Sequence, residues 1–217
     1  MSTCSRDLVF TPSIKAIQTR KGSRRLYERM DESRPWPARI PPDLAAFVQA
    51  QTSIFIATAN AQGQPYIQHR GGPPGFLRVL DDRTIGFTDF VGNRQYITQG
   101  NLAENPKVCL FLIDYAHRRR IKIWGEARVV EGDADLTARL MPSGYRARPE
   151  QNVLVTVSAW DENCPQHIPQ LFTAADVTDL VRRLESLEAE IVRLRAAPAT
   201  PSPSIIDSTA SPPRFTR

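Results

Sequence analysis

Between Gln64 and Gly125 the chain collects the polar and charged groups that suit a phosphorylated, aromatic ligand. The first group is the turn Gly92-Asn93-Arg94-Gln95, which follows the apolar run Ile85-Gly86-Phe87 and opens a helical segment. A helix N-terminus offers unpaired backbone N–H groups and a positive dipole end, so an anion can dock there, and Arg94 adds a forked charge. The second group is the basic run His117-Arg118-Arg119-Arg120, which leads into Ile121-Lys122-Ile123-Trp124. Strand alternation puts Arg120 and Lys122 on one face and Ile121 and Ile123 on the other. A charged strand face ordinarily meets solvent. On a sheet that also carries an anion turn, it can meet a ligand instead. The third group lies further on, in Ser158-Ala159-Trp160-Asp161-Glu162-Asn163-Cys164-Pro165-Gln166-His167-Ile168-Pro169-Gln170. There two prolines stiffen the loop that carries His167, as a preformed site requires.

These groups need a scaffold, and the surrounding pattern supplies one. Residues 54–59 read as a strand, Asn60-Ala61-Gln62-Gly63 as a turn and residues 64–70 as a second strand. Residues 77–80 make a third strand, closed by Asp81-Asp82-Arg83, and residues 84–88 a fourth, followed by the anion turn and a helix ending at Asn105-Pro106. Residues 107–113 and 119–130 complete a run of antiparallel-type strands, with a further strand at 153–157. On either side lie accessory segments. Thr11 and Pro12 begin an amphipathic helix running to about Met30, and residues 34–42 are an extended, proline-rich linker. Asp43 is expected to cap a short helix over 44–50. Val177, Leu180, Leu184, Leu187, Ile191 and Leu194 follow 3-4-3-4-3 spacing, a heptad stripe. Two readings of that stripe stand side by side: a helix packed on its own barrel, and a short coiled coil between subunits.

The order of these pieces, with ATANAQGQPYIQ, GNRQY, NLAENPKVCLFLI and RRRIKIWGEARVVEGD, resembles the FMN-binding split-barrel family related to pyridoxamine 5'-phosphate oxidase. The resemblance implies a mainly β (α+β) fold, a six-stranded antiparallel split β-barrel with flanking helices. It implies a barrel domain over 43–175, after an N-terminal helix and linker over 1–42, followed by a C-terminal amphipathic helix over 176–195 and a disordered tail over 196–217. It further implies a homodimer with FMN at the subunit interface, and hydride transfer between flavin and an unidentified small molecule. On this pattern Arg94 matches the phosphate-binding arginine, Asn93 retains a hydrogen-bonding group, and Gln95 stands where the family has a lysine. Arg78 or Arg70 could restore that lost charge. Gln68, His69 and Arg70 match the strand that touches the flavin ring and phosphate, and Thr88 and Asp89 match a strand end beside the flavin. Arg120 takes the place of a family glutamine near the ring, where a cation stabilises anionic reduced flavin. Trp160 fits the family's flavin-facing tryptophan. The family's Arg-x-His pair is absent, leaving His167 as the candidate substrate-facing base, and the substrate itself is not encoded.

Plainer readings accompany these. Arg94 in an isolated turn is a solvated helix-start residue, and only the ordered context favours an anion site. A lone His69 is more often a satisfied histidine, and His167 can belong to a loop plugging the barrel's open end. Gly71-Gly72-Pro73-Pro74-Gly75 either lets backbone approach a ligand or forms a bulge-like loop. Cys4, Cys109 and Cys164 are too scattered for a disulfide framework or a zinc site, and no metal is expected. The net charge of +5 is spread over arginine clusters with acids interspersed, which argues against nucleic acid. No apolar run approaches the ~20 residues of a membrane span, and the first residues lack a signal core, so a cytoplasmic protein is expected. Two rivals to the enzyme remain: a non-catalytic flavin- or haem-binding carrier or sensor, and an interaction scaffold recruited through the heptads. Within the fold, F420 is an alternative cofactor.

Overall fold

The computed structural model describes residues 5–196. Of the tail assigned to 196–217, residues 197–217 lie outside the described residues, as does Cys4. Seven strands form one antiparallel sheet: β1 (Ser53–Ala59), β2 (Pro65–Gly71), β3 (Arg78–Asp81), β4 (Thr84–Phe90), β5 (Lys107–Asp114), β6 (Arg119–Val130) and β7 (Pro149–Asn163). Their order across the sheet is β2-β1-β5-β6-β7-β4-β3. The resemblance implies six strands and the sheet has seven; β7, of which the sequence marks residues 153–157, lies between β6 and β4 and joins the two halves. Alternation sets the inward faces: Ile54 and Ile56 of β1, Leu110 and Leu112 of β5, and Ile121 and Ile123 of β6 are buried together with Phe87 of β4 and Val155 of β7. The sheet's two edge strands, β2 and β3, do not pair with each other. Instead Arg70 of β2 reaches Asp89 of β4, Nε to Oδ1 at 2.7 Å and Nη2 to Oδ2 at 3.1 Å. Strands near opposite ends of the sheet are thus drawn together, and this curling makes the sheet a split barrel.

The helices are α1 (Pro12–Arg20), α2 (Arg24–Ser33), α3 (Pro42–Ala50), α4 (Ile97–Glu104), α5 (Ala134–Leu140) and α6 (Ala174–Ala196). The single helix expected from Thr11 to Met30 is two. Gly22 adopts φ +82°, and the N–H groups of Gly22 and Ser23 bond the carbonyls of Thr19 and Gln18 at 3.1 and 2.8 Å, the glycine-dependent stop that ends α1. Thr11 does cap α1, accepting from the Ile14 N–H. Asp43 does not cap α3. Pro41 holds the cap position and Pro42 the first turn, where a missing N–H costs nothing. α3 then lays Leu44 and Val48 onto the core.

The N-terminal segment attaches to the outer face of β6. Trp36 stacks on Trp124, ring centroids 4.6 Å apart and 11° from parallel. The buried Arg6 guanidinium lies over Trp36 and pairs with Asp31 at 2.8 Å. The Gly71–Gly75 stretch is a loop turned into the protein. A Cβ on Gly72 would meet the Phe76 Cβ at 2.6 Å, and Phe76 and Leu77 are buried in the core. The close approach that a glycine permits there serves packing.

The described residues from Phe172 onward form a separate unit, made of α6 and its cap. Thr173 and Asp176 cap it reciprocally: the Asp176 N–H donates to Thr173 Oγ1 at 3.2 Å and the Thr173 N–H donates to Asp176 Oδ2 at 2.9 Å. No helix among the described residues is long and apolar enough to cross a membrane.

Candidate functional site

A cleft of about 350 Å³ opens where β2, the end of β4, the segment after it, the first turn of α4 and the start of β7 converge. Its lining includes Gln68, His69, Arg70, Asp89, Asn93, Arg94 and Gln95. Seven of the twelve sequence candidates therefore meet in one place, although they come from three separate segments. Tyr66, Tyr96, Glu150 and Gln151 also line it and were not anticipated. Gln151 could have been found, since β4 pairs with β7 in a register that sets it opposite Asp89. Finding it required knowing that β7 begins at Pro149.

Each wall has a local cause. The β2 residues that face the cleft are held in place by neighbours: His69 Nε2 lies 2.8 Å from Ser53 Oγ, its ring is edge-on to Phe55, and the Tyr66 hydroxyl donates to Gln68 Oε1. At the end of β4, Thr88 turns inward and donates to Asn152 Oδ1 at 3.0 Å, so it supports the wall without lining it. Asp89 accepts from Arg70 and from the Gln151 side-chain amide at 3.2 Å. The turn after β4 is irregular. Asn93 Oδ1 accepts from the Gln95 N–H at 3.3 Å, and Arg94 and Tyr96 take left-handed φ values of 57° and 53°. Two non-glycine residues in that sparsely populated region mark a backbone held by its surroundings. The helix therefore opens at Ile97, after the GNRQ turn, with Tyr96 at its cap. Asn101 anchors it by donating to Thr58 Oγ1 of β1 at 2.9 Å.

The charges balance in a particular way. Arg70 is taken up by Asp89, both largely buried, and serves structure. Arg94 is 54% exposed and its Nε stands 3.5 Å from Glu150 Oε1, a loose surface pair that contributes little. Glu150 also accepts from the Tyr96 hydroxyl at 2.9 Å, and this bond raises the Tyr96 phenol above its ordinary range. One arginine able to change partner, beside the first-turn N–H groups of α4, makes one anion position. Ile97, Phe90, Tyr66 and Tyr96 add flat or apolar surface. A volume in the ~300–1,000 Å³ range of cofactor clefts, with one anion position and ring-sized walls, fits a cofactor that carries a single phosphate and an aromatic system.

The other four candidates lie elsewhere. Arg78 begins β3 and Arg120 is the second residue of β6, and both Nε atoms are buried without a hydrogen-bond partner among the described residues. Trp160 is on β7, not in a loop. Its indole donates to the Arg39 carbonyl at 2.9 Å and its ring packs against the core. His167 occupies an exposed turn at φ 65°, and its neighbour Ile168 is the residue turned into the protein. Cys109 is half-buried on the outer face of β5, not in the core cluster, and burial raises the pKa of its thiol. Among the described residues no group of three or more His, Cys, Asp or Glu side chains could hold a metal ion.

A family model described as pyridoxamine 5'-phosphate oxidase matches residues 40–164, more than half of the chain. No curated protein matches. Among solved structures, HupZ from Group A Streptococcus is 18% identical over 61% of this chain and 99% of its own, with a TM-score of 0.48. An FMN-binding protein from Syntrophomonas wolfei is 13% identical over 69% of this chain and 97% of its own, with a TM-score of 0.44. The haem storage protein HutZ from Vibrio cholerae is 18% identical over 55% of this chain and 90% of its own, with a TM-score of 0.38.

Proposed function

The chain belongs to the pyridoxamine 5'-phosphate oxidase family, and from that premise and the cleft we propose that it is an FMN-dependent oxidoreductase acting as a homodimer. The observation that carries the reading is the convergence of Gln68, His69, Arg70, Asp89, Asn93, Arg94 and Gln95 on one cleft with room for one phosphate. FMN, when bound, supplies hydride transfer to or from a small molecule. The chain's own residues do the holding. Arg94 leaves Glu150 and, with the first-turn N–H groups of α4, takes the phosphate; a guanidinium suits phosphate because its fork donates two bonds. Asn93 spends its side-chain oxygen on the turn and keeps its amide N–H₂ free to donate. Gln68 and His69 present polar edges from β2, the imidazole steadied by Ser53. Asp89 and Gln151 fix the Arg70 plane beside them. In the homodimer, Arg78 and Arg120, which lie outside one protomer's cleft and whose Nε atoms find no partner among the described residues, would be the side chains offered to the partner's cofactor, whereas Trp160 is committed to its own core.

The test is the visible absorption of the purified chain before and after FMN is added, followed through gel filtration. Flavin bands near ~450 nm that co-elute with protein, and that Arg94→Ala diminishes, support the site. A colourless protein that retains no FMN sinks it. A second reading, a flavin-binding carrier without turnover, draws on one observation: His167, the sole catalytic candidate, sits in an exposed turn away from the cleft. Retained flavin that neither nicotinamide nor oxygen turns over would select it.

A further inference from the structure

We propose that α6 pairs with the α6 of a second copy of this chain as a parallel, in-register, two-stranded coiled coil. The inference does not depend on flavin, since it rests on residues 173–196 alone. A lone helix leaves its stripe to water, and Val177, Leu180, Leu184, Leu187, Ile191 and Leu194 are 47–64% exposed in the single chain. Their spacing assigns Val177, Leu184 and Ile191 to heptad position a, and Leu180, Leu187 and Leu194 to position d. β-branched residues at two of three a positions with leucine at every d position is the pattern that favours two parallel strands over higher states.

The flanking charges choose the partner and its direction. Arg183 and Glu190 occupy g positions, and Glu188 and Arg195 occupy e positions. In a parallel homodimer each g residue faces the e residue five places further along the other helix. Arg183 then meets Glu188 of the second copy, and Glu190 meets Arg195. Two-fold symmetry repeats both, giving four opposite-charge contacts and no like-charge contact. An antiparallel arrangement of the same stripe keeps Arg183 near Glu190 but sets Glu188 beside Val181 and Arg195 beside Ala174, which halves the complementarity. Competition within the helix is slight. The Glu190 pair with Arg193 is 3.7 Å long and exposed, and such pairs contribute little. The Thr173–Asp176 cap gives α6 its own N-terminal stop, so the helix is specified locally over its 23 residues. Fewer than three full heptads hold weakly alone, so pairing is expected to gain from any second contact between the same two chains, which raises the effective concentration.

Full-length chains with one introduced cysteine test this, in a background carrying Cys4→Ser and Cys164→Ser that keeps only the half-buried Cys109, because Cys164 is exposed. Val177→Cys and Leu194→Cys sit at opposite ends of the stripe. Under mild oxidation each variant alone should form a disulfide-linked dimer, at least several-fold above the background chain on a non-reducing gel. Glu188→Arg should lower that yield several-fold and the added Arg183→Glu should restore it. Cross-linking only when the two variants are mixed would overturn the parallel register. No cross-link above background in either variant or their mixture, with sedimentation unchanged by Leu184→Asp/Leu187→Asp, would overturn the pairing.

Discussion

Glu150 sits where it must compete with any anion for Arg94, and the competition is measurable. Arg94→Ala removes a charge-assisted bond and should weaken FMN binding by ~10-fold or more, the equivalent of the ~1.5–3 kcal/mol such bonds contribute. Glu150→Gln keeps the shape and the Tyr96 contact but removes the competing charge, so it should tighten FMN several-fold in a flavin-fluorescence titration. A weaker Glu150→Gln complex beside a weakened Arg94→Ala complex would make Glu150 a ligand rather than a competitor. A different carboxylate reports on packing. Burial raises the Asp161 pKa, and Lys122, Arg6 and the Trp36 indole pull it back only in part. The folded state therefore holds this proton more tightly than the unfolded chain, so stability associated with it is present below about pH 3.8 and lost as pH rises through the raised folded value. Asp161→Asn should raise the melting temperature relative to wild type at pH 7, and the gap should shrink toward pH 3.5. A gap that does not change with pH would remove Asp161 as its source. At this scale the sequence carries the site in part. Arg94 and the 68–70 strand were picked out by residue type, and the fold brings them to one cleft. Glu150 and Tyr96 were not, because a carboxylate and a phenol gain meaning only from an arginine 56 and 2 residues away that the fold sets beside them.

Elements show why some boundaries were readable and others were not. Alternation marked β1, β5 and β6, because every second residue is buried and most of those are Ile, Leu or Val. β7 was read as residues 153–157 but extends to Asn163, past a register shift opposite Trp124 and Gly125 where one extra β7 residue is accommodated. Ser158 and Ala159 have weak strand preference, so composition hides a strand that the ladder with β6 enforces. α5 went unread because seven residues carry little periodicity, although Asp133 caps it by accepting from the Leu136 N–H. The β6–β7 irregularity also depends on one glycine. A Cβ on Gly125 would stand 2.2 Å from the Thr156 carbonyl oxygen, which is backbone and cannot swing away. Gly125→Ala should therefore cost roughly 3 kcal/mol, ~10 °C in melting temperature for a domain of this size. Gly100, inside α4 with nothing within 4 Å of its Cβ position, is the contrast. Gly100→Ala should stabilise by roughly 0.5–1 kcal/mol. Equal effects of the two substitutions would show that strand spacing at Gly125 does not constrain the barrel.

The whole barrel closes through side chains, because its two edge strands leave the backbone ladder incomplete. Arg70 and Asp89 span that gap with side chains only 21% and 11% exposed. Nothing in the local pattern of either strand predicts this tie, since it appears only once seven strands are ordered and curled. It also joins closure to the cleft, where both residues form part of the wall. A buried pair of this kind adds little over an apolar replacement, but losing one member strands a charge. Asp89→Ala should thus destabilise the fold by roughly 3 kcal/mol, and Arg70→Leu by less, because Gln151 still donates to Asp89. The double variant Arg70→Leu/Asp89→Leu should recover at least ~1 kcal/mol relative to the sum of the single losses, read as a coupling energy in a denaturant-melt cycle. Closure should matter to binding as well. Either single variant splays the wall that carries Gln68 and His69, so FMN affinity should fall along with stability, and the double variant should regain stability ahead of affinity. Additive single effects would mean that the ends of the sheet are held by core packing alone, with Arg70 and Asp89 left to serve the ligand.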